Sequence, residues 1–192
     1  MVKAEVVPRG RAATAPGLAV HILAAVAAAG LLYASSSPAW QWRTAVPAGF
    51  VLAAATALWL IRWASWFAAR RAGAATGGAG RAAVLPVGLV VLVALLAGAA
   101  PLRARFWLSE GAFRRAMVQS GPEGPRRVGL YDVTTSSGTM FFVETDSWSS
   151  SGGFVFTSGR PVESFQGSAT VEDARFRHLF GDWYSFSASP RT

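Results

Sequence analysis

The chain has 192 residues, 52% of them hydrophobic, and 18 Lys+Arg against 10 Asp+Glu give a formal charge of +8. A chain of this length holds one or two small domains. It has no cysteine, which excludes thiol nucleophiles, disulfides and cysteine-ligated metal clusters, and with Lys3 the only lysine there is no P-loop.

The charge is unevenly placed. Residues 1–102 carry eight basic side chains against one acid, whereas residues 103–192 carry ten arginines against nine acids. The excess therefore flanks apolar runs instead of lining a folded face, which reads as membrane topology and not as a nucleic-acid site.

In chain order, residues 1–15 form a basic tail with Lys3, Arg9 and Arg11. Three apolar stretches follow, at about 16–34, 46–69 and 82–101, each near the roughly 20 residues a bilayer core demands. The first contains His21. With its basic flank and the Ser35-Ser36-Ser37 that follows, it also matches a secretory signal peptide. Its apolar run is long for a signal and two more runs follow, so a retained helix is the reading taken. The second is interrupted only by Arg62, near the end bearing Arg70 and Arg71, where an arginine can reach the headgroups. The third has no charged side chain from Ala82 to Pro101 and is the strongest.

Basic flanks put the N-terminus and the 70–82 loop in the cytoplasm, and the 35–45 loop and residues 103–192 outside. Arg103 and Arg105, directly after the third run, count against that orientation but are outnumbered. Trp59, Trp63 and Trp66 share a helix face and read as an interfacial belt, in preference to a cage for a quaternary ammonium. Small residues spaced by four, Gly49/Ala53/Ala57 and Ala94/Gly98, are candidate helix-packing positions.

Residues 103–192 read as a small α+β domain with an antiparallel sheet of four to five strands. Ser109 is placed as the N-cap of a short helix whose Phe113 and Met117 face a core. Arg127 to Thr134 and Thr139 to Thr145 are predicted strands joined at Ser136-Ser137-Gly138, followed by strands at 153–157 and 183–186. Thr170 to Gly181 fits a short helix capped by Thr170, and also a strand with Phe176, His178 and Phe180 on one face. The helical turn is the reading taken.

Within this domain, Pro101-Leu102-Arg103-Ala104-Arg105-Phe106-Trp107-Leu108-Ser109-Glu110, Val128-Gly129-Leu130-Tyr131, Gly153-Phe154-Val155-Phe156 and Leu179-Phe180-Gly181-Asp182-Trp183-Tyr184 form a series of landmarks. With them the chain resembles a group of small bacterial multi-pass membrane proteins with no activity assigned. Phe156 stands where a tyrosine is common in that group. The resemblance spans roughly residues 100–187 and implies an architecture of apolar helices followed by an α+β domain.

The catalytic inventory is thin. His178 with Asp182 lacks a nucleophile elbow. Glu144 and Asp146 share a strand face and suit acid–base chemistry or a hard cation, or else a solvated edge. Arg126-Arg127 and Arg175/Arg177 are candidates for anionic headgroups. Trp148, in a serine- and glycine-rich loop, and Arg103 and Arg105 are the candidate partner or lipid contacts. No catalytic, cofactor-binding or metal-ligating residue is assigned. The expectation is a multi-pass cell-membrane protein that presents an extracytoplasmic domain to a protein or envelope partner. The alternative is an envelope hydrolase using His178 or Glu144/Asp146.

Overall fold

A computed structural model describes residues 17–73, 79–119, 124–135, 141–144, 151–166 and 173–188. Four helices, α1 (Leu18–Ala34), α2 (Trp42–Arg71), α3 (Ala79–Ala97) and α4 (Ala100–Val118), precede six strands. The strands are β1 (Gly124–Val128), β2 (Tyr131–Thr135), β3 (Phe141–Glu144), β4 (Ser151–Phe156), β5 (Arg175–Phe180) and β6 (Trp183–Ala188).

Helices α1, α2 and α3 share a small core of Val20, Ala24, Ala55, Trp59 and Leu85. Small side chains let α1 and α2 approach closely: a Cβ built on Gly30 would sit 3.0 Å from the Ala48 Cβ. The small-residue pairs singled out in the sequence are not the ones used. Gly49 has nothing within 4 Å, and Ala53, Ala57, Ala94 and Gly98 are exposed. Alanine-rich helices offer many such registers, and only the packing selects one.

Helix α2 is long and apolar enough to cross a membrane, at 30 residues or about 45 Å. Only 17% of its most apolar stretch is buried, so it is not the core helix of a globular domain. Where three spans were expected, α2 alone qualifies by itself. Helix α1 has 17 residues, and α3 qualifies only together with α4, across a bend of 54°. The causes are local. Ser35 and Ser36 end α1 by donating their hydroxyls to Leu32 O and Tyr33 O. Pro101 has no N–H and its ring collides with a carbonyl one turn earlier, so the third run breaks at Ala99, whose φ is +50°.

The sheet order is β1-β2-β3-β4-β6-β5, with every neighbouring pair antiparallel. Six strands replace the expected four to five for two reasons. Arg127 to Thr134 is not one strand but the β1–β2 hairpin, turned at Gly129-Leu130, with Gly129 at φ +62°. Arg175–Phe180 is strand and not helix: β5 pairs with β6, setting Phe176 against Phe186 and His178 against Tyr184. Helix signals there were local, whereas the edge of β6 offers both backbone partners and an apolar face. The β2–β3 connection at 136–140 lies outside the described residues.

Alternation divides the sheet into two faces. Phe106 and Phe113 of α4 pack on Tyr131, Val133, Phe142, Phe154 and Trp183 on one face. Phe113 lies 5.0 to 5.9 Å, centroid to centroid, from five of these neighbouring rings. The other face carries Val155, Phe186 and Ala188, with Phe165 from a short 3-10 turn against them.

Ser109 is not an N-cap. It lies within α4 and is fully buried, donating its hydroxyl to Arg105 O and accepting the Leu130 N–H at 3.1 Å. A Cβ on Gly129 would lie 2.6 Å from the Ser109 Cβ, so the hairpin turn and α4 touch only because residue 129 is glycine.

Candidate functional site

The α1–α2 connection does not hang free. Residues 35–41 press against the helix-covered face of the sheet, where a Cβ on Gly152 would lie 2.6 Å from the Ala39 Cβ. Ser37 is 2% exposed and donates its hydroxyl to Glu144 Oε1 at 2.9 Å, and Glu144 is itself buried. Gln41 Nε2 donates to Ser37 Oγ at 3.0 Å, and Arg105 Nη1 to Ser36 Oγ at 3.1 Å and Ser37 Oγ at 3.3 Å. Arg105 Nη2 also donates to Leu130 O, and its guanidinium lies 4.2 Å from the Tyr131 ring centroid. The Tyr131 hydroxyl closes the cluster by donating to Ser36 O at 3.1 Å.

Helix α4 thus supplies a cation, β3 a carboxylate, β2 a phenol, and the α1–α2 connection two hydroxyls. The arrangement is a clasp. Ser37 Oγ gives its proton to Glu144 and takes two donors, so both lone pairs are engaged and it is poorly suited to nucleophilic attack. The loop at one end of α1–α2 and the sheet accordingly lie at the same end of the helix bundle. Arg70 and Arg71, at the last turn of α2, lie at the other.

Burial pushes the Tyr131 phenol well above its ordinary value; Arg105 pulls it down and Glu144 adds to the rise. The folded chain therefore holds a proton that the unfolded chain releases above about pH 10. Stability from this group is complete below that pH and falls as pH rises beyond it, by up to about 1.4 kcal/mol per pH unit. Thermal unfolding in detergent between pH 9 and 11 is expected to show a steeper decline for the native chain than for Tyr131→Phe. Equal slopes would contradict the assignment.

The residues singled out in the sequence are dispersed. His178 is exposed on β5, its Nε2 bonded to Gly181 O at 2.8 Å and its ring edge-on to Tyr184. Glu144 lies three strands away in the sheet order, about 14 Å at ordinary strand spacing. The two belong to no common site. Asp146 and Trp148 lie outside the described residues. Arg103 is exposed, Arg105 belongs to the clasp, and Arg126 Nη2 donates to Ala116 O at 3.3 Å. Among the described residues no group of three or more His, Asp and Glu is placed to hold a metal ion.

The sequence reading missed the clasp, although one signal was present. If Phe142 faces the core, alternation puts Glu144 on that same face, and a buried carboxylate demands partners. It also missed Trp107 and Leu108, which α4 turns outward at 65% and 68% exposure. Comparison with family models, with curated proteins and with solved structures returned no match.

Proposed function

We propose that the chain is a multi-pass integral membrane protein whose helices α1–α3 anchor an extracytoplasmic α+β domain that binds a protein or envelope partner. The observation that carries this reading is the contrast between the two halves. Leu18, Val26, Phe50, Ile61, Val84, Val90 and Val93 on α1–α3 are all more than half exposed, whereas the sheet buries Tyr131, Phe142, Phe154, Trp183 and Phe186. Outward apolar surface on this scale needs a covering that is itself apolar. A bilayer supplies one, with α1 and α3 crossing beside α2.

Several features support the sidedness. The basic residues Arg70 and Arg71 lie at the end of the bundle away from the sheet, which suits a cytoplasmic side. The guanidinium of Arg62 reaches the start of α1, since a Cβ on Gly17 would lie 3.9 Å from its Nη2. Trp40 and Trp42 sit at the sheet end, where headgroup-level aromatics belong. On the domain, the outer face of α4 with Arg103, Trp107 and Leu108 is the surface offered to partner or headgroups. The hydrolase alternative finds no paired base and nucleophile among the described residues.

The absence of cysteine makes the test clean. Single variants Trp42→Cys, Ala72→Cys and Glu163→Cys, all at exposed positions, are labelled in intact cells with a membrane-impermeant maleimide. Labelling at 42 and 163 but not at 72 is the expected result. Labelling at 72 alone reverses the orientation, and opposite outcomes at 42 and 163 overturn the arrangement altogether.

A further inference from the structure

Beside the clasp, a groove of about 310 Å³ runs between the 35–40 connection, the α3–α4 break and strands β5 and β6. Its floor follows from the register. Arg175 pairs with Ser187 and Arg177 with Ser185, so two guanidiniums and two hydroxyl-bearing residues share the helix-covered face. Both arginines are exposed, and no carboxylate among the described residues pairs with either. Leu96, Ala99 and Leu102 form the apolar wall, and Trp40 stands at the rim, 41% exposed.

We propose that this groove holds the headgroup of an anionic phospholipid, its phosphate gripped by Arg175 and Arg177. This inference rests on the membrane reading above. Position and charge argue for a lipid over a soluble anion. The groove opens where the apolar α3 gives way to the polar domain, the level at which headgroups lie. The outward Val90 and Val93 continue the i, i+3 ridge of Leu96 from it along α3 as a track for acyl chains. Guanidinium is the group best shaped to hold phosphate oxygens, and among the described residues no carboxylate pairs with either arginine. Seated there, a lipid joins the domain edge to the bilayer surface at a second point, independent of the clasp.

The test uses the full chain. Flotation with vesicles of phosphatidylcholine alone reports membrane insertion and is expected for the native chain and all variants. If the native chain does not float, the membrane reading fails, and this proposal with it. Binding of phosphatidylglycerol to the protein in neutral detergent then tests the groove. Arg175→Gln/Arg177→Gln is expected to weaken it about thirtyfold, each arginine contributing roughly fivefold. Arg127→Gln/Arg160→Gln, with the same charge loss at exposed positions away from the groove, is expected to change it less than twofold. Equal losses in the two double variants, or no loss in either, would overturn the site. Inorganic phosphate that competes at equal concentration would replace the lipid by a soluble anion. If the groove variant does not float or melt like the native chain, Ser187→Glu takes its place, keeping both arginines but filling the groove with a carboxylate. Undiminished binding by that variant overturns the proposal.

Discussion

Arg105→Ala is expected to lower stability by about 3 kcal/mol, a fall of roughly 6–12 °C in the thermal midpoint of the detergent-solubilised chain. The side chain donates to Ser36 Oγ, Ser37 Oγ and Leu130 O and stacks over Tyr131. Removing it leaves a carbonyl and two hydroxyls short of a donor, and deprives the buried Glu144 region of its cation. Arg105→Lys is expected to recover less than half of the loss, because an ammonium cannot span these acceptors as a planar fork does. Proteolysis should report the same event locally, with the native chain protected at 35–41 and the variant cut there. A shift below 2 °C in Arg105→Ala would mean the clasp contributes nothing, and that the sheet and the helix bundle are held together by the Phe106 and Phe113 packing alone.

Gly153→Ala is expected to be at least as damaging, about 3 kcal/mol or more. A Cβ at this position would lie 2.0 Å from the Phe142 carbonyl oxygen and 3.0 Å from the Phe186 ring. The first of these is backbone in the neighbouring strand, so relief requires β3 and β4 to move apart at the centre of the sheet. Domains of this kind have only about 5–15 kcal/mol in hand, so a small yield of folded protein is the expected phenotype. Gly49→Ala is the contrast. Nothing lies within 4 Å of that added Cβ, and the substitution is expected to leave the midpoint unchanged or raise it. Similar losses for the two would show that the effect at 153 is not steric.

Several features were legible without a structure because they depend on local chemistry. The apolar runs and the strands around Phe154 and Trp183 follow from side-chain hydropathy and alternation, whereas the break at Ala99 falls inside a run that the sequence presents as continuous. The core placement of Phe113 and Met117 came from helical spacing, and both pack as that spacing requires. Where two local signals conflicted, the sequence was undecided. The 170–181 stretch carried helix-capping residues and strand alternation at once; its proposed cap Thr170 lies outside the described residues, and over Arg175–Phe180 pairing with β6, a contact made by the fold, chose the strand.

Ser109 shows the same limit from the other side. Its type suits an N-cap, but α4 begins at Ala100, and the hydroxyl instead serves the Gly129-Leu130 turn twenty residues away. The clasp is the extreme case. Ser37 and Glu144 are 107 residues apart, and no periodicity links them. By itself the sequence determined which segments shun water, because that is a property of residues and their immediate neighbours. The tertiary structure alone decided that the α1–α2 connection, α4 and β3 converge on Arg105, and that Arg175 and Arg177 line a shared groove. Hydrogen bonds and ion contacts act over a few ångströms in space, whatever the distance along the chain.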